Sequence, residues 1–255
     1  MVSTATLPPE IITLGDFPSS ISIWVYAASG LGKTRFAGTA PNSLFISAVR
    51  EGGIEAALAT AGPGGKVWPV REWSDVEKAK EWLAKHPDVF EWVIPDSLTH
   101  LQDVSMRSWL KIVTKDNRKR DPDIPAIQDY LKVQEQLKAL VTDLNELPFH
   151  KLYTAGVQRA DVMNTESNEW ENIILPHVDS RDAKLAMRIC GQMMVVAYYY
   201  HHIKTNQRRM LFQPYGHIYA KDRYGALGIY KSNPTVPELQ SLIEKEIARK
   251  REEAA

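Results

Sequence analysis

A loop of small residues that ends in a lysine and a hydroxyl is the first candidate for chemistry in this chain. Residues 27–34 read AASGLGKT and follow the apolar run ISIWVY. Consecutive backbone N–H groups in such a loop, and the helix N-terminus behind it, favour an anionic phosphate. Lys33 would reach the β- and γ-phosphates, and the Thr34 hydroxyl would ligate Mg²⁺. The pattern therefore predicts a P-loop that binds ATP and Mg²⁺.

One position departs from the P-loop pattern G-x-x-x-x-G-K-[ST]. The pattern begins with glycine, and this chain has Ala27 there. The added methyl group narrows the φ/ψ range where the chain leaves the strand. We expect nucleotide binding nevertheless, with Ala27 bearing on the rate of hydrolysis. The predicted nucleotide-binding residues are Ala28, Ser29, Gly30, Leu31, Gly32, Lys33, Thr34 and Arg35.

A second candidate group ends the apolar run FEWVIPDS at residues 90–97. Asp96 would stand at the carboxyl end of a buried strand downstream of the P-loop, which is the Walker B position that holds the Mg²⁺ shell. The alternative is a turn and helix cap at residues 95–97. Thr34 and Asp96 are the predicted metal-binding residues.

These groups need a sheet that brings them to one edge. Short apolar runs alternate with helical patterns in the first two-thirds of the chain, which predicts an α/β fold with a mostly parallel sheet flanked by helices. Residues 208–213 and 217–221 suggest antiparallel strands near the C-terminal end. An amphipathic helix is predicted at residues 127–144, with Ile127, Leu131 and Leu137 on its apolar stripe. The predicted divisions are an extended N-terminal arm (1–18), an ATPase core (19–235) and a C-terminal amphipathic helix (236–255).

Composition narrows the possible functions. The chain has 255 residues, 44% of them hydrophobic and 24% charged, as in ordinary globular proteins. Lys+Arg and Asp+Glu are equal at 31 each, so nucleic-acid binding would need a local patch. The single cysteine, Cys190, excludes an internal disulfide. Neither a signal peptide nor an apolar run of ~20 residues is evident, so we expect a cytoplasmic protein without membrane association.

Three motifs occur in a fixed order: GKT at residues 32–34, PDSLT at 95–99 and AKDRYG at 220–225. With this order the chain resembles the RecA-like P-loop ATPases, and most closely the phage nucleotide-binding proteins of the single-strand annealing (Sak) type. The resemblance runs over residues 20–228. It implies a RecA-like fold and a ring or filament of identical subunits that hydrolyses ATP to ADP and phosphate in a DNA-dependent manner. It also implies binding of single-stranded DNA, a role in annealing or recombination in the host cytoplasm, and a single-strand-binding protein as a further partner.

The resemblance implies catalytic roles for two residues near the nucleotide. Glu51 precedes a glycine pair, where relatives place the general base, although Ser47 stands where an aspartate is common. Gln158 matches the polar residue that senses the γ-phosphate. The alternatives are a solvated loop carboxylate and an ordinary amide at a strand end.

Lys221 and Arg223 resemble the K-x-R pair that RecA-family rings and filaments insert into a neighbouring active site. Such a pair neutralises charge that develops on the γ-phosphoryl group, so activity would require assembly. The alternative is a hairpin salt bridge with Asp222.

The DNA-binding loops of this class correspond here to residues 111–120 and 159–170, the second within an exposed loop predicted at residues 159–172. Cations would neutralise phosphates in the first loop, and an aromatic face would stack on bases in the second. The alternative is a solvated surface, and we interpret the tyrosines at 198–200 as a sheet face. The predicted DNA contacts are Lys111, Lys115, Arg118, Lys119, Arg120, Arg159 and Trp170.

Two other functions stay open. Ala27, Ser47 and the displaced Glu51 would also suit a nucleotide-binding assembly or regulatory protein with weak or no hydrolysis. A small-molecule kinase is disfavoured because the chain has no Arg-rich lid and because Lys221 and Arg223 would be unexplained.

Overall fold

Short buried runs form the strands at the centre of the molecule. The computed structural model describes residues 20–51, 53–62, 64–117, 119–121, 123–164 and 168–254, so the predicted arm at 1–18 lies outside the described residues. The strands are β1 (Ser22–Tyr26), β2 (Ser43–Ala48), β3 (Lys66–Val70), β4 (Trp92–Asp96), β5 (His150–Asn164), β6 (Glu169–His177), β7 (Val195–His202), β8 (Gln207–Leu211), β9 (Lys221–Asp222) and β10 (Tyr230–Ser232).

Six α-helices connect or flank these strands in the described chain. They are α1 (Lys33–Ala37), α2 (Trp73–Lys85), α3 (Leu98–Asp116), α4 (Ile127–Asn145), α5 (Lys184–Gln192) and α6 (Val236–Ala254). None of the helices in the described residues is long and apolar enough to cross a membrane.

The strands join in the order β10-β8-β7-β1-β5-β4-β2-β3, with β6 paired to β5 and β9 paired to β7. The strands from β7 to β3 run parallel. By contrast, β8, β9 and β10 pair antiparallel with their neighbours. The predicted fold class is therefore confirmed: a mostly parallel sheet flanked by helices, with antiparallel strands near the C-terminal end.

Helices cover both faces of the sheet. Trp24 and Tyr26 of β1 point into a core formed with α2, α3, α4 and α5. Ile23 and Val25 point to the opposite core, which α1 and α6 complete. Burial on both faces explains why the central strands are continuous apolar runs without polar alternation. The parallel order β1-β5-β4 brings the carboxyl ends of β1 and β4 to the same edge of the sheet, on either side of β5.

The loop predicted at residues 159–172 is instead a β-hairpin. β5 continues past the main sheet to Asn164 and pairs antiparallel with β6 from Gly156↔His177 to Asn164↔Glu169. Positions 158, 160 and 162 are half-buried, and positions 159, 161 and 163 are exposed. This alternation is a strand signal, which the polar composition of the segment obscured.

The apolar stripe predicted along α4 is buried over only part of its length. Leu137 and Leu144 are buried in the core, whereas Ile127 is 83% exposed and Leu131 is 61% exposed. The core therefore leaves the first turns of α4 uncovered. An amphipathic pattern identifies the apolar face of a helix and not how far a neighbour extends along it.

Candidate nucleotide-binding site

The loop after β1 turns at two glycines. Gly30 has φ +78° and Gly32 has φ +94°, in the left-handed region that glycine adopts without a Cβ clash. Gly32 is the residue before α1. The turn thus takes the chain from the carboxyl edge of the sheet into α1 and places Lys33 and Thr34 in its first turn.

Ala27, the position that departs from the P-loop pattern, stands before this turn. Its N–H donates to the carbonyl of Ala155 at 3.3 Å, which continues the pairing of β1 with β5. Ala27 is fully buried and is not among the described non-glycine residues with positive φ. An alanine here therefore introduces no left-handed backbone strain.

Lys33 and Thr34 point back towards the sheet edge. The Lys33 ammonium donates to the carbonyls of Ala27 at 3.0 Å and Ala28 at 3.2 Å. The Thr34 hydroxyl donates to Oδ2 of Asp96 at 2.9 Å. Two segments that are far apart in sequence thus meet through one hydrogen bond at the carboxyl ends of β1 and β4.

Asp96 is held from a second side by a residue that the sequence analysis missed. The hydroxyl of Thr154 on β5 donates to Oδ1 of Asp96. Asp96 is 5% exposed and Thr154 is fully buried. Because each carboxylate oxygen accepts a hydroxyl bond, the orientation of the carboxylate is fixed by β5 as well as by α1. A threonine within a strand gave no separate signal, since β-branched residues are common there.

A cavity of about 700 Å³ opens at this edge of the sheet. Its volume falls within the usual range of roughly 300–1,000 Å³ for small-molecule sites. The predicted residues that line it are Ala28, Ser29, Gly30, Gly32, Lys33, Thr34 and Asp96.

Two predicted loop residues lie outside this cavity. The carbonyl of Leu31 accepts a hydrogen bond from Nε of Arg208 on β8 at 3.0 Å. Arg35 is exposed and lines a neighbouring cavity of about 230 Å³, together with Gly32 and Arg208. Arg208 therefore braces the P-loop from the antiparallel side of the sheet, a role that no local motif indicated.

The donor set fits Mg²⁺ with a nucleotide. A hydroxyl and a carboxylate oxygen 2.9 Å apart are the hard oxygen donors that Mg²⁺ prefers, and substrate phosphates and water usually supply the rest of its shell. The described residues contain no group of three or more His, Cys, Asp and Glu side chains that could hold a metal. Thr34 and Asp96 would hold the ion, and Lys33 and the loop N–H groups would hold the phosphates.

Polar residues from α3 and the β5–β6 hairpin form the far wall of the cavity. The Thr99 hydroxyl donates to the carbonyl of His177 at 2.7 Å and accepts from the Gly156 N–H at 3.0 Å. His100 Nδ1 lies 2.7 Å from the Ser97 hydroxyl. These lining residues were also missed, because only the folded hairpin brings His177 beside α3.

Glu51 and Gln158 are the two residues predicted near the γ-phosphate. The side chain of Glu51 lies outside the described residues, although its backbone ends a 3-10 turn, Val49–Glu51. The Gln158 amide donates to the carbonyls of Pro176 at 2.9 Å and Val178 at 3.5 Å. Gln158 lines a separate cavity of about 500 Å³. In this conformation Gln158 therefore stabilises the hairpin and does not line the nucleotide cavity.

Lys221 and Arg223 lie at the amino-terminal end of β7. Lys221 pairs with Val196 in β9, and the Arg223 N–H donates to the carbonyl of Met194 at 3.0 Å. Since β7 is parallel to β1, this end is opposite the edge that carries the P-loop. Burial and the nearby Arg223 charge lower the pKa of Lys221.

The basic segment predicted as a loop at residues 111–120 begins in the last turns of α3, which ends at Asp116, and continues beyond it. Lys111, Lys115 and Lys119 are exposed. Arg118 lies outside the described residues. The structure thus leaves three lysines available to solvent at the tip of the α3–α4 pair.

Arg120 differs from these lysines because its side chain turns inward. Its guanidinium forms a salt bridge with Asp129, whose side chain is fully buried. Asp129 also accepts hydrogen bonds from Trp109 Nε1 at 2.8 Å and the Ala126 N–H at 2.7 Å. Burial would raise the pKa of Asp129, but these hydrogen bonds and the Arg120 charge hold it below its ordinary value. Arg120 is therefore committed to neutralising a buried carboxylate.

Arg159 and Trp170 lie on the β5–β6 hairpin. Both are exposed, Trp170 by 63%, and both line the 500 Å³ cavity that contains Gln158. The prediction of a charged side chain near an aromatic face therefore corresponds to a shared surface, carried by paired strands and not by a loop.

The chain is similar to a known protein family and to a solved structure. A family model described as an AAA domain matches residues 19–224. A KaiC-like protein from the hyperthermophilic archaeon Pyrococcus horikoshii OT3 aligns over 75% of this chain and 77% of its own, with 13% identity and a TM-score of 0.37. That level of likeness adds nothing to the topology described above. A search of curated proteins found no match. By its family match the chain belongs to the AAA domain family of P-loop ATPases.

Proposed function

We propose that this protein is an oligomeric, RecA-like ATPase of the phage nucleotide-binding, single-strand annealing type, which binds single-stranded DNA and promotes annealing or recombination. The observation that carries the nucleotide-binding part is the convergence of Lys33, Thr34 and Asp96 on one cavity. The meeting of α1 and β4 supports a site built for a ligand, because a chance P-loop pattern would not bring a buried carboxylate to the Thr34 hydroxyl.

Each group has a distinct task in this proposal. The Lys33 ammonium exchanges its carbonyl partners for phosphate oxygens, which are stronger acceptors because they are charged. Thr34 and Asp96 would hold Mg²⁺, which would supply positive charge to the phosphates. Thr154 keeps the Asp96 carboxylate in place during this exchange. Glu51 is the proposed base that orients the attacking water.

Assembly completes the site in this proposal. Lys221 and Arg223 lie at the end of the sheet opposite their own P-loop, which supports insertion into the P-loop site of a neighbouring subunit. There they would neutralise charge on the γ-phosphoryl group in trans.

Oligomers mixed from two variants test the P-loop contact and the contribution of the neighbouring subunit in one experiment. Lys33→Ala removes the phosphate contact, and Arg223→Ala removes the charge supplied to the neighbour. Each variant alone should lose ATP turnover, and a mixture should regain part of it because some interfaces combine an intact P-loop with an intact Arg223. Turnover that is unaffected by Arg223→Ala and independent of protein concentration would contradict the assembly model.

The DNA part is tested by fluorescence anisotropy of a labelled single-stranded oligonucleotide with and without ATP at low salt. Binding that strengthens with ATP is the expected result. Tight nucleotide binding without turnover and without DNA binding would instead favour the nucleotide-binding assembly or regulatory protein.

A further inference from the structure

A cleft lined by tyrosines lies on the antiparallel part of the sheet, where its residue Ile218 pairs with Ile174 of β6. Its volume is about 420 Å³, and β7, β8, β10 and residues 215–218 form its walls. Tyr198 and Tyr200 are two residues apart on β7 and therefore face the same side. Their rings are close to parallel, at 12° and 5.8 Å between centroids. Tyr199 points to the opposite face and packs on Phe36, so the tyrosines that we interpreted as a sheet face divide between the two faces of the sheet.

The rim of the cleft exposes more aromatic surface than packing requires. Tyr215 is 71% exposed and Tyr230 is 47% exposed, beside Ile229 at 59%. Exposed aromatic side chains grouped around a concave surface are typical of ligand or partner sites. Here the rings come from β7, from β10 and from the turn at Tyr215.

A cation accompanies these rings. The Arg209 guanidinium lies 4.7 Å from the centre of the Tyr230 ring. Its Nε is buried and has no hydrogen-bond partner among the described residues. The described residues that line the cleft include no Asp or Glu. The cleft therefore combines stacking faces with a positive charge and lacks a carboxylate that would repel an anion.

The segment of chain that supplies the cleft strands is basic in composition although the whole molecule has no net charge, and Arg209 is its one cation among the described residues that line the cleft. Residues 183–237 contain eight lysines and arginines and one acid, Asp222, together with seven of the ten tyrosines. The eight cations are Lys184, Arg188, Lys204, Arg208, Arg209, Lys221, Arg223 and Lys231. Such a bias favours an anionic partner over a neutral or basic one.

We propose that single-stranded DNA binds in this cleft, with unpaired bases stacked on Tyr200, Tyr215 and Tyr230 and a phosphate near Arg209. The proposal rests on the proposed DNA-binding function and assigns it a site on β7, β8 and β10. Stacking on exposed rings requires bases that are not paired, which favours a single strand over a duplex. The β5–β6 hairpin and the lysines of α3 would then be a separate or additional surface.

Oligonucleotide binding to matched variants tests this site. Tyr215→Ala and Tyr230→Ala should each weaken the affinity for a fluorescein-labelled oligothymidylate by about fivefold or more, because one aromatic stack is lost. Tyr230→Phe keeps the ring and should bind like the parent. Tyr130→Ala is the control, since Tyr130 is a 44% exposed tyrosine on α4. All variants should bind a fluorescent ATP analogue like the parent, which shows that they are folded.

A cross-linking experiment identifies the contact directly. Irradiation of a complex with a 5-iodouracil oligonucleotide, followed by mass spectrometry, should label Tyr215 or Tyr230. If the parent binds DNA but the tyrosine variants bind equally well and no label appears in the cleft, the assignment is wrong while the proposed function stands. If the parent binds no DNA, the proposed function itself fails. If a peptide of residues 1–19 binds the cleft and DNA does not cross-link there, the cleft receives the arm of another copy and the assignment is overturned.

Discussion

The P-loop site and the tip of the α3–α4 pair were both assigned from clusters of polar residues, but the fold treats their charges in opposite ways. At the P-loop, residues that are distant in sequence converge: Thr34 and Thr154 both bond the carboxylate of Asp96. At the tip, residues that are adjacent in sequence separate, because Lys119 is exposed whereas Arg120 turns inward to Asp129. Convergence of distant residues is therefore the stronger sign of a site than a run of like charge.

The largest expected effect tests the convergent site. Asp96→Asn should lower ATP turnover by about 100- to 1,000-fold, because the charge that holds Mg²⁺ is lost. The amide keeps one acceptor oxygen for a hydroxyl donor, so thermal unfolding should change little. The exposed Asp88 offers a matched control, and Asp88→Asn should hydrolyse ATP like the parent. Parent-like turnover by Asp96→Asn would mean that Asp96 is not a metal-holding residue.

Arg120→Gln tests the inward-facing charge at the tip. The variant should lose about 3 kcal/mol of unfolding free energy in urea titrations, because the buried Asp129 would be left without its charged partner. Lys119→Gln, next in sequence and exposed, should stay within about 0.5 kcal/mol of the parent.

The same pair predicts a pH dependence with a defined sign. The pKa of Asp129 is lowered in the folded state, so its stabilising contribution is full above the unfolded value of about 3.9 and is lost as pH falls through the folded pKa. The stability difference between the parent and Arg120→Gln should therefore be full at neutral pH and shrink below about pH 4. A difference that grows with acidification would contradict this account of the ion pair.

The outward-facing charges at the tip should matter only for salt-dependent binding. Replacing Lys111, Lys115 and Lys119 by glutamine should reduce the slope of log affinity against log salt by up to about 2 for single-stranded DNA. Stability and ATP affinity should be unchanged. The control replaces exposed lysines elsewhere, Lys78 and Lys245. An equal slope in both variants would assign the tip lysines to a solvated surface.

The smallest effect is expected at the position where the P-loop pattern is broken. Ala27→Gly should change nucleotide affinity and turnover by less than about twofold, because Ala27 is hydrogen-bonded as a strand residue and does not need glycine's left-handed range. A large gain in turnover without a gain in affinity would show that Ala27 restrains hydrolysis. Stopped-flow binding of a fluorescent nucleotide and steady-state hydrolysis measure the two quantities separately.

The parts of the fold and site that could be predicted from sequence depend on local signals. An apolar run followed by small residues and Lys33 identifies a strand and a P-loop, and an apolar run ending in Asp96 identifies a strand end. These signals are local because strand burial and loop conformation act over a few residues. The parallel arrangement followed from the alternation of such runs with helices.

The remaining features depend on contacts between distant segments. Thr154 looks like any β-branched strand residue until Asp96 is placed beside it. The β5–β6 hairpin was hidden because its alternating side chains are polar on the exposed face, and Arg120 became structural only through Asp129 nine positions later. In each case the missing information was the partner, which no local pattern contains.

Strand β8 connects the P-loop with the tyrosine cleft through two neighbouring residues. Arg208 bonds the P-loop carbonyl of Leu31, and the next residue, Arg209, lines the tyrosine cleft on the other face. A shift of the strand caused by a ligand at one face would therefore move a contact of the other. Coupling between two binding sites is reciprocal, so the factor by which an oligonucleotide changes nucleotide affinity must equal the factor by which the nucleotide changes oligonucleotide affinity. Arg208 and Arg209 would thus make occupancy of the nucleotide cavity depend on occupancy of the tyrosine cleft, and the reverse.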